Sequence, residues 1–588
     1  FTFFQTTPQL FRWLQQDNPA LFTAMKQRVA EGRIELDGAM WLEADCNIPS
    51  GESLIRQIVY GKRYLRSEFG TECEVLWLPD VFGYSAALPQ ILLLAGITTF
   101  VTTKISWNML NKLPCDTFRW QGVDGSRVLT YFITTTDPKQ EDGSFGTTYN
   151  GMLHPAAIMG GWKRYQQKEI NNAILVAYGY GDGGGGPDRE MLEKGIRLKR
   201  GIAGFPRVEL GHVRPFFRTL HRKVDGAKYL PTWVGELYLE LHQGAYTSAA
   251  MMKRNNRMAE RELFAAELLQ TAAALRGHPY AADSLHAAWE TLLLNQFHDT
   301  LPGSCIAKVY ADAREQFSAL FARLNACRQD AEKAIWGEGE QLVIWNIADF
   351  AREDLLLLPQ GKTIAGQPWQ ATEEGNLCFT PRIPSLSWVS AEVAEQPAQP
   401  ATPGTAEPGV QTLETWYFSV RINAEWELVQ LLDKQANREV LPAGERANVL
   451  LAFDDRPYKW DAWNIDMYYE EKQYPVNEQV TVSGVLSGPV FESVRVEKRF
   501  GRSVFTQEIR VYHTIPRIDF VTHVDWHEDA TVLKVAFPVE VNADFATFDI
   551  QCGSVRRPTH RNTSWDKARY EVCAHRWADL SEGDYGVS

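Results

Sequence analysis

The chain has 588 residues, 45% hydrophobic and 23% charged, with a formal net charge of −13. That length exceeds one hydrophobic core and sets an expectation of about three or four domains. The acidic balance excludes a surface built to neutralise phosphates, and with it a nucleic-acid binder.

The sequence holds no run of about 18 apolar residues and no basic-then-apolar leader, so neither a membrane span nor a secretory signal is expected within it. Cys46, Cys73, Cys115, Cys305, Cys327, Cys378, Cys552 and Cys573 are scattered and form no C-x-x-C pair. That pattern is neither a disulfide framework nor a zinc knuckle, and it fits a reducing, cytoplasmic compartment. The chain opens on Phe1 and closes in mid-pattern at Asp584–Ser588, so both ends are expected to be cut from a longer sequence.

From residue 1 to 215, helical patterns alternate with short apolar runs. Ala20–Glu31, Ser53–Phe69 and Leu88–Leu94 read as helices, and Arg33–Leu36, Glu74–Leu78, Thr98–Thr103, Val128–Ile133 and Ala173–Tyr178 as strands. Such alternation predicts an α/β catalytic domain with a mostly parallel sheet. Residues 216–340 carry Met251–Leu275, Ala281–Gln296 and Val309–Trp336, long helix-period stretches that predict a three-helix type of bundle. From 341 to 588 short alternating runs dominate (Thr415–Arg421, Val480–Val485, Ser493–Arg499, Phe505–Tyr512, Arg517–Val524, Val532–Val539), the pattern of a β-sandwich region. Glu395–Gln411, rich in Pro, Ala, Thr and Gly, reads as an exposed linker. The expected fold is therefore multidomain, α/β then α then β.

The most informative stretch is Leu78–Ser85. An apolar run, Val75–Trp77, ends in a Pro/Gly-bracketed turn that carries Asp80, and a buried helix follows. Open α/β sheets place reactive groups at the carboxyl ends of their strands; the alternative is an aspartate that only caps the helix. A second acid, Asp182, sits in Tyr180–Gly186 after another apolar run. No Lys-Ser/Thr follows its glycines, so the loop is not a phosphate cradle. Glycines there let backbone pass close to a substrate, or leave a solvated turn. His298 and Asp299 end a long apolar helix, where a histidine ligates a metal or simply suits the helix end. His523 and His527 have metal-like spacing, but in a strand-rich region where that spacing builds no helical face. Two acids from distant turns are what a glycosidase needs on either side of the bond it cleaves.

Leu78–Gln90 closely resembles the nucleophile motif of the family 38 glycoside hydrolases, the class II α-mannosidases. Lys104–Asn108, Tyr180–Pro187 (similar to the cytosolic branch), Gly235–Gly244, Asn295–Asp299, Gly303–Ile306, Arg456-Pro457 with Trp460–Trp463, and His575–Ser581 follow in the family's order. The resemblance covers essentially the whole chain. It implies a retaining α-mannosidase that acts on mannose-containing oligosaccharides with one divalent ion, usually zinc. By the same resemblance Asp80 is nucleophile and metal ligand, His298 a second ligand, and Asp182 the general acid/base. Glu236, His242, Tyr246 and Asp299 are implied sugar contacts, and a homo-oligomer is compatible with the branch. One departure stands out. The family's other metal ligands form a His-x-Asp pair near the amino terminus, whereas the first histidine here is His154. The expectation is two ligands of four and weak zinc binding. A metal-dependent carbohydrate deacetylase and a carbohydrate-binding chain without turnover are the alternatives.

Overall fold

A computed structural model describes residues 2–136, 146–182, 184–396 and 410–588. Near the amino terminus, β1 (Phe3–Gln5) pairs in parallel with β2 (Ile34–Leu36) across two helices, α1 (Pro8–Asp17) and α2 (Pro19–Ala30). Helix α3 (Gly51–Phe69) then leads into a five-stranded sheet. Ser50 accepts the Ser53 N–H at the amino end of α3, and Gly70 closes it at φ 63°, in the left-handed region a helix end favours.

The sheet is built from β3 (Val75–Trp77), β4 (Thr99–Thr102), β5 (Thr117–Gln121), β6 (Arg127–Phe132) and β7 (Thr232–Val234), in the order β3-β4-β6-β5-β7. All neighbours are parallel except β5 and β6. Every residue of β3 and β4 is buried, as expected of strands covered on both faces. Helix α4 (Leu88–Leu94) follows the turn after β3. Three more helices, α5 (Pro155–Arg164), α6 (Arg189–Lys199) and α7 (Val213–Asp225), lie between β6 and β7. Helix α7 runs across residue 215. Its Val213, Phe217, Leu220 and Val224 pack on Val75, Val101 and Tyr131 of the sheet, so this layer reaches at least to β7.

The expected strand Ala173–Tyr178 joins no sheet. Its backbone lies extended against Gly151, which donates to the Ala177 carbonyl at 3.0 Å and accepts from Gly179 N–H at 3.0 Å. Its alternate side chains go to two different apolar clusters, Leu175 and Ala177 to one and Val176 and Tyr178 to the other. The run is apolar as expected of a strand, but its backbone partner is a single glycine. A Cβ on Gly151 would stand 2.4 Å from the Ala177 oxygen, so only glycine permits that approach.

Helices α8 (Ala250–Ala274), α9 (Ala282–Leu294) and α10 (Ala307–Trp336) form the bundle. Its Leu263, Leu292 and Phe317 share one core with Leu54 and Phe100 of the first layer. Beyond it, two four-stranded antiparallel sheets (411–439 and 479–525) pack face to face, with Leu413, Val420 and Ile422 against Val494, Val496, Ile509 and Val511. Strand Glu395 ends, and strand Gln411 begins, either side of the expected linker; residues 397–409 lie outside the described residues. His523 lies on the exposed strand Ile518–Asp525, and His527 pairs with Asp525 at 2.9 Å. Among the described residues no helix is long and apolar enough to cross a membrane.

Candidate active site

Leucine 78 leaves β3 by donating to the Val101 carbonyl at 3.0 Å, and the Pro79 carbonyl accepts from the N–H groups of Thr103 and Lys104. Gly83 takes φ 106°, and Tyr84 then exchanges two 3.0 Å backbone bonds with Leu237. The Tyr84 hydroxyl donates back to the Leu78 carbonyl at 2.7 Å. These bonds fix the turn before any side chain of the site is considered, and Asp80 is carried on it.

One Asp80 oxygen accepts from Lys104 Nζ at 2.7 Å; the other accepts from the Tyr149 hydroxyl at 3.1 Å and faces His298 Nε2 at 3.7 Å. The Lys104 ammonium lies 5.3 Å from the centre of the Phe82 ring and 4.8 Å from that of Trp107. Burial by itself would push the Asp80 carboxyl up. The imidazole of His298 and the charge of Lys104 outweigh it and hold Asp80 well below the usual carboxylate range. The same pairing acts in reverse on His298: burial opposes its charge, but Asp80 raises it to about 9.

His298 Nδ1 is held by the Glu43 carbonyl at 2.8 Å, which aims Nε2 at Asp80. A histidine so oriented by a backbone carbonyl is prepared to ligate a metal, and 3.7 Å between its Nε2 and Asp80 Oδ2 lets one ion touch both. Asp80 and His298 thus fit as two donors. Among the described residues no group of three or more His, Cys, Asp or Glu side chains is arranged to hold an ion.

Asp182 reaches the same point from the glycine-rich turn. It is exposed, and two residues hold it: the Tyr149 hydroxyl at 2.6 Å from one oxygen and Asn150 Nδ2 at 2.9 Å from the other. Asn150 also accepts the Gly181 N–H at 2.8 Å, fixing the turn itself. Two oxygens bonded to one hydroxyl stand no further apart than the two bonds laid end to end, about 5.7 Å. The nearest oxygens of the two acids therefore stand close enough for both carboxyl groups to flank one bond.

Both acids line a cleft of about 1230 Å³, together with Lys104, Trp107, His242, His298, Asp299, Trp460 and Trp463. His242 sits at φ 64°, its N–H bonded to Asn464 Oδ1 at 2.7 Å, its ring stacked on Trp463 and edge-on to Phe82. Burial first, and then the Lys104 charge, lowers His242 to about 3, so the ring is neutral. Asp299 Oδ1 accepts from Trp463 Nε1 at 3.3 Å.

Glu236 and Tyr246, expected as sugar contacts, do not line this cleft. They lie behind the Asp80 turn, around a small void shared with Gly83, Arg557 and Cys573. Glu236 is paired with Arg557 through both oxygens, at 2.8 Å and 3.2 Å, away from the cleft. It joins the first layer to the β region. The sequence reading missed Tyr149 and Asn150, the residues that bring the acids together. Their segment, Thr147–Asn150, has neither apolar period nor motif; its one cue is a Tyr-Asn-Gly turn ahead of a helix. Trp107, Trp460 and Trp463 were legible only as parts of motifs.

Comparison with known proteins agrees along the chain. The profile of the glycosyl hydrolases family 38 N-terminal domain matches residues 1–236, that of the alpha mannosidase middle domain residues 240–335, and that of the family 38 C-terminal domain residues 413–588. The chain is 36% identical to alpha-mannosidase 2C1 of Mus musculus over 599 residues, covering all of this chain and 55% of the mouse protein. It is 32% identical to an alpha-mannosidase of Saccharomyces cerevisiae, covering 100% of this chain and 52% of the yeast protein. It therefore spans about half the length of these relatives. The fold matches that of an alpha-mannosidase from Enterococcus faecalis with a TM-score of 0.78 at 15% identity, over 100% of this chain and 76% of that one. With three successive domain profiles and similarity along the whole of this chain in agreement, the chain belongs to glycosyl hydrolase family 38.

Proposed function

We propose that this chain carries the catalytic centre of a retaining α-mannosidase that removes terminal α-linked mannose from oligosaccharides by double displacement. The observation that supports the reading is the shared hydroxyl of Tyr149, which draws Asp80 and Asp182 together as a pair of carboxyl groups in one cleft. Asp80, kept ionised by Lys104 and His298, attacks the anomeric carbon and forms a glycosyl ester. Asp182 gives its proton to the leaving oxygen and then takes one from the incoming water. His242 and Asp299 form part of the wall against which the sugar is oriented. Asp80 and His298 are the residues that would hold a divalent ion, zinc in this reading, which when bound grips sugar hydroxyls and offsets developing charge.

Membership of a glycosyl hydrolase family gives the deacetylase alternative no support. One observation favours the other alternative, a carbohydrate-binding chain without turnover: only two ion donors converge among the described residues. Incubation with 5-fluoro-mannosyl fluoride and zinc, followed by peptide mass analysis, separates the two. A fluoromannosyl adduct on the peptide holding Asp80 is expected. Binding of mannose without any adduct overturns the proposal in favour of the binding chain.

A further inference from the structure

Trp460, like His242, belongs to the cleft wall and carries a backbone that works against its side chain. It sits at φ 60°, a region that glycine and asparagine adopt readily and an aromatic residue rarely does. Such a conformation persists only where the surroundings over-determine it, and here they do. The Trp460 carbonyl accepts from both Trp463 N–H and Asn464 N–H at 2.9 Å. Asn464 spans the turn, donating to the Lys459 carbonyl at 3.0 Å and accepting the His242 N–H at 2.7 Å. Gly244 lets the first layer close on this turn: a Cβ there would stand 2.9 Å from the Trp463 oxygen.

The turn sends its two indoles to different depths. Trp463 stacks on buried His242 and bonds Asp299. Trp460 remains 43% exposed, its ring centre 5.7 Å from that of Trp107 at 50°. Trp107 is in turn tied at 2.9 Å to the carbonyl of Thr147, two residues before the tyrosine that holds Asp182. Phe82 and His298 are buried where they line the cleft, whereas Trp460 is exposed, and its partner Trp107 is tied to the segment that carries Tyr149. A half-open indole in the same cleft as Asp182, linked to it through Trp107 and the Thr147–Tyr149 segment, suits the apolar C–H face of a pyranose.

We propose that Trp460, backed by Trp107, is a stacking platform for the sugar residue on the leaving side of the scissile bond. It would select an oligosaccharide over a simple glycoside. This rests on the α-mannosidase reading.

The test uses the full chain and its Trp460→Gly and Trp460→Phe variants, assayed on an α-linked mannobiose and on methyl α-mannoside. Glycine suits the left-handed backbone, so a purely structural tryptophan and a platform give different results. The platform predicts that Trp460→Gly melts no lower than the parent, yet loses about tenfold more kcat/KM on the disaccharide than on the methyl glycoside, mostly through KM. Trp460→Phe should recover most of that difference. Equal losses on both substrates, or a loss that tracks a fall in melting temperature, overturn the platform. If the parent cleaves neither substrate, the α-mannosidase reading fails by itself. Calorimetric titration with mannobiose then decides the platform separately: about tenfold weaker binding by Trp460→Gly supports it, and equal affinity overturns it.

Discussion

Asp80 and Asp182 both sit where extended backbone runs out into a turn, but the two turns are held from different sides. The Asp80 turn is stitched to β4 and to Leu237 by its own backbone, and a lysine and a histidine fix the charge it carries. The Asp182 turn is exposed and held by Tyr149 and Asn150, side chains of a neighbouring segment. A nucleophile must be ionised and aimed before substrate arrives, which the core can arrange in advance. In the proposed mechanism Asp182 must give up and regain a proton within one cycle, and it stands at the surface on two side-chain bonds. The difference is sharpest where both turns meet, at one phenol oxygen.

The largest effect should come from the rigid side. Asp80→Asn removes the attacking oxygen but keeps a side chain of the same size between Lys104 and Tyr149, so turnover per folded molecule should fall about 10³-fold or more. Hydrolysis of p-nitrophenyl α-mannoside with added zinc measures this; a variant with full turnover breaks the assignment. Asp182→Asn should cost about 10²–10⁴-fold on a sugar leaving group. It should cost much less on a 2,4-dinitrophenyl leaving group, which departs without a proton. An equal loss on both leaving groups removes the acid role from Asp182.

The same contrast explains what could be read from the sequence. The Asp80 turn was legible because strand, Pro, Gly and helix signals lie within one short stretch, Val75–Leu94, and the structure assembles them locally. The long helices of the bundle and the alternating strands of the sandwich were legible for the same reason. The Asp182 turn showed its acid and its glycines but not its partners, because Tyr149 and Asn150 come from a segment with no period of its own. Glu236 misled in the opposite direction. It stands within a stretch that matches a family motif, and its partner Arg557 is 321 residues away, a pairing that no local pattern announces.

Tyr149 joins the two turns and tests whether they act as one unit. Its single proton can serve only one carboxylate at a time, and the shorter bond is to Asp182, 2.6 Å against 3.1 Å. Tyr149→Phe should slow turnover about tenfold to a hundredfold, the range of a lost hydrogen bond to a charged group. The loss should be larger in formation of the glycosyl ester than in its hydrolysis if the bond to Asp182 matters more. Stopped-flow release of the leaving group measures the first step alone. Equal slowing of both steps would mean the tyrosine serves Asp80 as much as Asp182, and the contrast between the turns would weaken.

The smallest effect on turnover should come from Glu236, which sharpens the comparison from behind the rigid turn. Its carboxylate is buried against Arg557, with Arg569 at 3.7 Å. Burial would raise it, but the two guanidinium groups win and hold it below the usual value near 4.5. An acid depressed in the folded state contributes stability that is fully present above its unfolded pKa and is lost as pH falls through the folded one. The parent should therefore lose stability steadily as pH drops below about 4.5. Glu236→Gln should be less stable at pH 7 by about 3 kcal/mol, because Arg557 is left buried with a neutral partner. Its melting temperature should also fall less steeply on acidification than the parent's. Turnover per folded molecule should change by no more than about twofold, since the glutamate lies outside the cleft. Parallel acid melts of the two proteins would show that this pair does not join the layers, and a large loss of turnover without a loss of stability would return Glu236 to the sugar.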